Sequence, residues 1–361
     1  MKAVPLAFRG VLLGLLTTSM HAQGPVLSTP GTATWSTEST ATGTRTVFTI
    51  TGNTVLDWNR MNLAAGNELV FDFLGGESVV NNLTGTKSHR IDGSVTSNGI
   101  VGFFSPNAHL QVNGSITAKG VTIATLDVNP VDFASGSYVM SGGGTNALKI
   151  GGQIKATQGD AVLASNVLVM KEESAVFASG SALLGSGEKV SVRSSGFRKL
   201  SIVGTIGEIG QFGTIKAPTI EVAARQHIVN DGRIDAGIGR IFLEVGEGGA
   251  ISNETNGFIV GHAVFEGALV DKGLIIGRGE GDVPPLVSES RIKVPTVKRP
   301  NGKVVSTAKK LTYSAPMSAS SDAGRTAKRQ DRQVAKIDSS RSLLQRSSFF
   351  GVRGGKTVSK R

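Results

Sequence analysis

The 361-residue chain has no cysteine. Disulfides, thiolate metal sites and thiol catalysis are therefore excluded, and stability must come from an apolar core and backbone pairing. Aromatic residues make up only 5%, too few for a thick conventional core and suited to a narrow one of Val, Ile, Leu and Ala. The five histidines (21, 89, 109, 227 and 262) show no His-x-His or His-Glu-x-x-His spacing. A Gly-x-Ser-x-Gly elbow and a Walker loop are also missing. Helix signals are nearly absent between the two ends. No cofactor, metal or catalytic site is expected, so the reading is of a protein that is not an enzyme.

Glycine is abundant, with 48 residues, and hydrophobic residues reach 39%. That composition is too apolar for a wholly disordered chain and implies frequent turns. Lys2 and Arg9 precede an apolar run that continues from Gly10 to Leu16 and ends in small or polar residues up to Ala22. This pattern predicts a cleaved signal peptide over 1–22. It is shorter than the roughly 20 apolar residues that span a bilayer. The net charge of +11 is uneven: 285–361 carries 18 Lys and Arg against 4 Asp and Glu, whereas the rest holds 20 basic and 23 acidic residues. The expectation is a mildly acidic body and a disordered basic tail over 285–361.

The body carries a repeat: Gly, any residue, then Ile, Val or Leu, often with Ala two positions later. Clear copies begin at Gly114, Gly152, Gly213 and Gly232, and weaker ones at Gly93, Gly249 and Gly267. Their spacings of 21, 38, 61, 19, 17 and 18 residues approximate multiples of one period of about 20, a solenoid length. Missing copies are expected near Gly136 and between Ala175 and Gly196. Each copy reads as a short strand entered through a glycine turn, with Ile154 and Ile234 directed inward. A lone coil cannot bury its apolar face, but stacked coils can. The period predicts an all-β parallel β-helix with coils of about 20 residues rather than a sandwich, whose strands recur at about 8–12 residues. An antiparallel β domain with accidental repeats is the alternative. The Thr- and Ser-rich stretch over 23–45, continuing to Ile50, would cap the first coil, and Pro284-Pro285 would stop the ladder.

One stretch goes beyond the repeat. Asp57-Trp58-Asn59-Arg60-Met61-Asn62-Leu63 is followed by Val79-Val80-Asn81-Asn82-Leu83-Thr84-Gly85 and by Ile91-Asp92-Gly93-Ser94-Val95. Then come Ser97-Asn98-Gly99, Phe103-Phe104-Ser105-Pro106-Asn107-Ala108, Ala124-Thr125-Leu126-Asp127-Val128, Asp132-Phe133 and Gly136. In this order and spacing they resemble the N-terminal secretion domain of filamentous haemagglutinin-type exoproteins, the two-partner secretion family. The resemblance covers 46–138, with repeats continuing over 139–284. It implies a right-handed parallel β-helix, exported and passed to a partner pore in the outer membrane. It also implies an adhesin-like or structural role outside the cell or on its surface. Asn81, Asn82, Gly85, Asn98, Pro106 and Asn107 would then lie where the partner reads the chain; the same residue types also simply shape turns. The sequence departs from the family in three ways. Its usual Asn-Pro-Asn-Gly-Ile turn appears only as Ser105-Pro106-Asn107-Ala108, the chain is short, and the basic tail is an addition. A periplasmic location is the alternative.

Many β-helices cleave polysaccharides, so an enzyme acting on anionic polysaccharide is the competing function, as is a periplasmic binding solenoid. Such an enzyme needs converging carboxylates. Asp231 and Asp235 read as sharing one side of a strand, with Glu244 and Glu247 one segment later, but nothing joins them at coil spacing. Gly277-Arg278-Gly279-Glu280-Gly281-Asp282 has the residues of a calcium turn without the repeated nonapeptide that stacks such sites. The tail suggests non-specific attraction to an anionic surface such as lipopolysaccharide or acidic glycan. With only Tyr313, Phe349 and Phe350 as aromatics there, sequence-specific nucleic-acid recognition is not expected.

Overall fold

The computed structural model describes residues 24–29, 32–142 and 144–277. The expected signal peptide and the basic tail, with its proposed attraction to anionic surfaces, lie outside the described residues. The chain divides into Met1–Val305 and Ser306–Arg361, and the description concerns the first unit.

Each coil runs through three short strands, and the strands of successive coils pair in parallel to make a three-faced β-helix of about ten turns. The first face includes Ser94–Ser97, Ser115–Ala118, Gln153–Ala156, Ala175–Ala178 and Thr214–Lys216. The second includes Ser78–Leu83, Ile100–Phe104, Gly120–Ala124, Ala161–Ser165 and Ser181–Ser186. The third runs from Asn62–Leu63 to Ala268–Asp271. Alternation along each strand sends every second side chain inward. In Gln153–Ala156, Ile154 and Ala156 are buried while Gln153 and Lys155 are exposed. Register then aligns like with like. Leu69, Val95, Ile116, Ile154, Val176, Ile215, Ile234, Ile259 and Ile275 form one continuous interior column.

The glycines of the repeat sit where the third face turns into the first. Their role is space rather than left-handed backbone, since none of Gly93, Gly114, Gly152, Gly213, Gly232 or Gly273 has a positive φ. A Cβ on Gly114 would lie 1.8 Å from the Gly93 carbonyl oxygen, and one on Gly152 would lie 1.8 Å from that of Gly114. Each glycine thus admits the carbonyl of its counterpart one coil earlier. In these two-residue corners both amides share one acceptor: Gly151 and Gly152 donate to the Val112 oxygen at 2.7 and 3.1 Å. Where the corner is a four-residue turn, closed by Ser174 N–H to the Lys171 oxygen at 3.0 Å, the position tolerates a serine.

The structure corrects the phase of the repeat. Gly249 and Gly267 precede third-face strands, Ala250–Asn253 and Ala268–Asp271, whereas the true late copies begin at Gly257 and Gly273. No copy is missing near Gly136. The 38 residues from Gly114 to Gly152 are one coil with an excursion, which contains the helix Pro130–Ser135, N-capped by Asn129 and ended by Gly136 at φ 79°. The copy expected after Ala175 is Ser174-Ala175-Val176 itself, and a second excursion follows it. Both excursions leave the corner between the second and third faces, and they pair with each other. Asp127–Val128, Tyr138–Ser141, Lys189–Val192 and Leu200–Val203 form an antiparallel sheet. The excursions bury Leu126, Phe133, Met140 and Val190 against Phe104, Val162 and Leu183 of the second face, creating a second core outside the coil.

The first coil is edged by antiparallel strands: Ala33–Ser39 pairs with Thr44–Ile50, and Val26–Leu27 pairs with Thr54–Trp58. The scarce aromatics collect beneath this edge. Phe48 stacks on Phe71 at 5.4 Å and meets Trp58 and Trp35, and Phe71 meets Phe103. Later coils are filled by aliphatic residues.

Candidate functional site

The residues that carry the family resemblance fall on the first coils, and many meet at the corner between the second and third faces. Asn81 occupies an interior column otherwise made of Leu56, Phe103, Ile123 and Leu163. A buried amide there must be satisfied. Trp58 donates its indole N–H to the Asn81 oxygen at 3.0 Å, and the Asn81 amide donates to the Gly102 carbonyl at 3.1 Å. Asn81 is fully buried, so in the folded coil its amide faces Trp58 and Gly102 rather than the surface.

Asn82 points outward and donates to Asp57 at 2.9 Å. Gly85 opens the turn beyond; a Cβ there would sit 1.9 Å from the Asn59 carbonyl oxygen. His89, fully buried, ties this turn down. Its Nδ1 accepts from the Met61 amide at 3.0 Å, which leaves Nε2 to donate to the Gly85 oxygen at 3.2 Å. Burial, with the nearby Arg60 charge, holds the imidazole below its ordinary pKa although the Gly85 carbonyl acts the other way. One coil on, His109 accepts from the Ala147 amide at 2.8 Å. Asn107 reaches back to the Thr84 oxygen at 3.3 Å, and Asn146 donates to the Pro106 oxygen at 2.8 Å. Gly85, Pro106 and Asn107 therefore share one corner, and Asn82 lies on the second-face strand Ser78–Leu83 that leads into it. Asn98 stands at a different one, between the first and second faces. There it accepts from the Phe73 amide at 2.7 Å and donates to the Phe73 oxygen and Asp72.

Two features escaped sequence reasoning. The first is a column of buried hydroxyls, Ser105, Thr125, Ser165 and Ser186, at the ends of successive second-face strands. Thr125 and Ser165 meet at 2.7 Å, and Ser186 donates to the carbonyls of Asn166 and Glu208. They satisfy backbone oxygens where the chain leaves the sheet. The signal was present, a Ser or Thr just after a small or apolar pair at coil spacing. The second feature is the clamp on the second excursion. Arg198 reaches Glu221, Glu244 and Glu266 on three successive coils, and its guanidinium lies 4.9 Å from the Phe242 ring. Glu221, itself buried, accepts from the Lys199 and Leu200 amides at 2.8 and 3.0 Å. The three carboxylates recur at about one coil, 23 and 22 residues apart, with Glu244 and Glu266 in register, but Arg198 lies in an excursion outside the repeat.

The acids considered for sugar cleavage do not converge. Asp231 lies in a corner and accepts from the Asn256 amide at 3.0 Å. Asp235 is on the first-face strand, paired with Arg233 at 2.7 Å, so the two do not share a strand as the spacing suggested. Glu244 belongs to the Arg198 clamp on the second face. Among the described residues no three His, Asp or Glu side chains are grouped to hold a metal ion. No helix there is long and apolar enough to cross a membrane. An open groove of about 590 Å³ lies along the tight corners near the cap, lined by residues that include Thr42, Asn67, Glu68, Asp92 and Ser115.

No protein-family model matches the chain, and no curated protein sequence does. Among solved structures, it is similar to the HMW1 secretion domain from Haemophilus influenzae. The identity is 16% over 69% of this chain and 73% of that one, with a TM-score of 0.44.

Proposed function

We propose that the chain is an exported β-helical exoprotein with an adhesive or structural role at the cell surface, and that its first coils are read by a partner pore in the outer membrane. The observation that carries this reading is the way its sequence signatures interlock. Asp57, Trp58, Met61, Asn82, Gly85 and His89 are joined by side-chain hydrogen bonds between the first two coils, with Trp58 held by the buried Asn81. A generic solenoid repeat needs none of these links, so the signatures form a unit beyond what stacking requires. The protein acts by binding rather than turnover. In support, Asp235 and Glu244 are neutralised by Arg233 and Arg198 instead of facing one another across a cleft.

Fractionation of native cells, with protease added to intact cells, tests the reading. Protein in the medium, or degraded on intact cells, is the expected result. Protein protected until the outer membrane is broken would overturn export and leave a periplasmic solenoid. Incubation with anionic glycans tests the second half: cleavage of any of them would refute a purely binding role.

A further inference from the structure

The outer side of the first face carries a pattern that neither the fold nor the proposed export uses. Thr117, Lys155, Phe177, Lys216 and Asp235 stand in register on consecutive coils. Lys155 and Lys216 are exposed and Phe177 is half-buried between them. Ladder spacing places the two ammonium-bearing strands about 9.6 Å apart, two rungs of about 4.8 Å. Ala175, two residues earlier in the strand, and Ser179, just after it, are small, so the half-buried ring is flanked along the chain by small side chains. Gln153 and Thr214, to either side of Ala175 in the adjacent column, add hydrogen-bonding groups. The nearest acid in the column, Asp235, is held by Arg233 and the Gly237 amide and also attracts Lys216 one rung away. Glu172 and Glu173 lie in the corner before Ala175, off the strip.

We infer that this Lys155–Phe177–Lys216 column binds a single chain of acidic polysaccharide laid along the helix axis. An aromatic face suits the apolar face of a sugar ring, as rings in ligand sites commonly do. The flanking lysines match carboxylates or sulfates on neighbouring sugars. The strip is one strand wide and flat, which fits an extended polymer better than a bilayer. Nucleic acid fits less well, because one ring offers no run of stacking platforms and backbone phosphates are more closely spaced. The inference deepens the proposed binding role and rests on it for its biological sense. The experiment uses purified full-length protein, so its failure leaves the export reading to be judged by fractionation.

The probes are sulfated and uronate oligosaccharides, a neutral oligosaccharide of equal length, and single-stranded DNA. Affinity is measured across a salt series for the wild type, Lys155→Gln with Lys216→Gln, Phe177→Ser, and Thr117→Lys. The tail's charge is the same in all four. The double lysine variant should bind an acidic oligosaccharide at least about tenfold more weakly and lower the slope of log K against log salt by about 2. Phe177→Ser should weaken binding without changing that slope. Thr117→Lys, which extends the column by one coil, should tighten binding and raise the slope by about 1. Unfolding midpoints identify any variant that fails to fold, and the gain in Thr117→Lys does not depend on the others. Affinity unchanged in all three variants, no binding of acidic sugars, or tighter binding of DNA than of either oligosaccharide would each overturn the inference.

Discussion

Replacing Gly152 by alanine tests whether the repeat glycines are there for space. The added Cβ would meet the Gly114 oxygen at 1.8 Å and the Asn113 oxygen at 2.4 Å. Both are backbone atoms, so no side chain can swing away, and the coils must separate by more than an ångström. That movement pulls on the Gln153 N–H bond to the Gly114 oxygen at 3.0 Å and on the shared acceptor Val112. Losing two such bonds costs about 1 kcal/mol each, and forced overpacking adds about 1–3 kcal/mol. A destabilisation of about 3–5 kcal/mol follows, a fall in Tm on the order of 10 °C for a body of this size. Because each coil touches only its neighbours, amide exchange should rise first around Val112 and Gln153. Gly76→Ala is the control: nothing lies within 4 Å of its Cβ position and its φ is not positive, so stability should hold or rise slightly. Ser174→Ala, at the equivalent place in a wide corner, should cost only about 1 kcal/mol for its hydroxyl bond to Lys171. If Gly152→Ala unfolded within a degree of the wild type, the space argument would be wrong.

Other perturbations follow the same logic. Ile154→Asp or Ile234→Asp places an unpaired carboxylate at a fully buried position and should cost several kcal/mol, read as a lowered thermal midpoint; an unchanged midpoint would show that these positions do not face the core. His89 has a folded pKa below the free value of 6.5, so the unfolded chain takes up the proton first. The stabilisation is complete above pH 6.5 and lost as pH falls through the folded value, and His89→Gln should flatten the midpoint between pH 7.5 and 5.5 relative to the wild type. Arg198→Met leaves Glu221 buried beside only backbone amides. It should cost about 1–3 kcal/mol, between exposed and buried pairs, and open the 193–199 loop to protease; a loop as resistant as the wild type's would rule out the clamp.

How far the sequence discloses this molecule depends on which interactions repeat. The inward column is legible at Val95, Ile116, Ile154, Ile215 and Ile234, where the coils restate one pattern, and the period of about 20 residues follows from that. The phase was misread at Gly249 and Gly267 because third-face strands also begin after glycine and carry an inward Ile or Leu at the same offset. A single-line pattern cannot separate two faces that use one code. The gaps were misread for a different reason. An excursion adds residues at a corner without disturbing the ladder, so 38 residues look like two coils when they are one coil plus a helix and two strands.

Non-periodic contacts were the least visible. Arg198 reaches carboxylates on three coils, and the Tyr138 phenol, raised in pKa by burial, meets Thr122 at 2.8 Å under the excursion sheet. Among these residues, Gly85, Pro106 and Asn107 come together because turn chemistry recurs at one corner, whereas Asn82 sits on the strand that leads into it. Asn98 shares that chemistry at another corner, and composition alone does not distinguish them. Asn81 differs again. Alternation along Ser78–Leu83 already placed it on the inward side with Val79 and Leu83, so its burial was readable from its neighbours. What alternation could not supply was the partner, since Trp58 lies 23 residues earlier and reaches it only when the coils stack. The strand pattern therefore locates a buried amide, and the register decides what satisfies it.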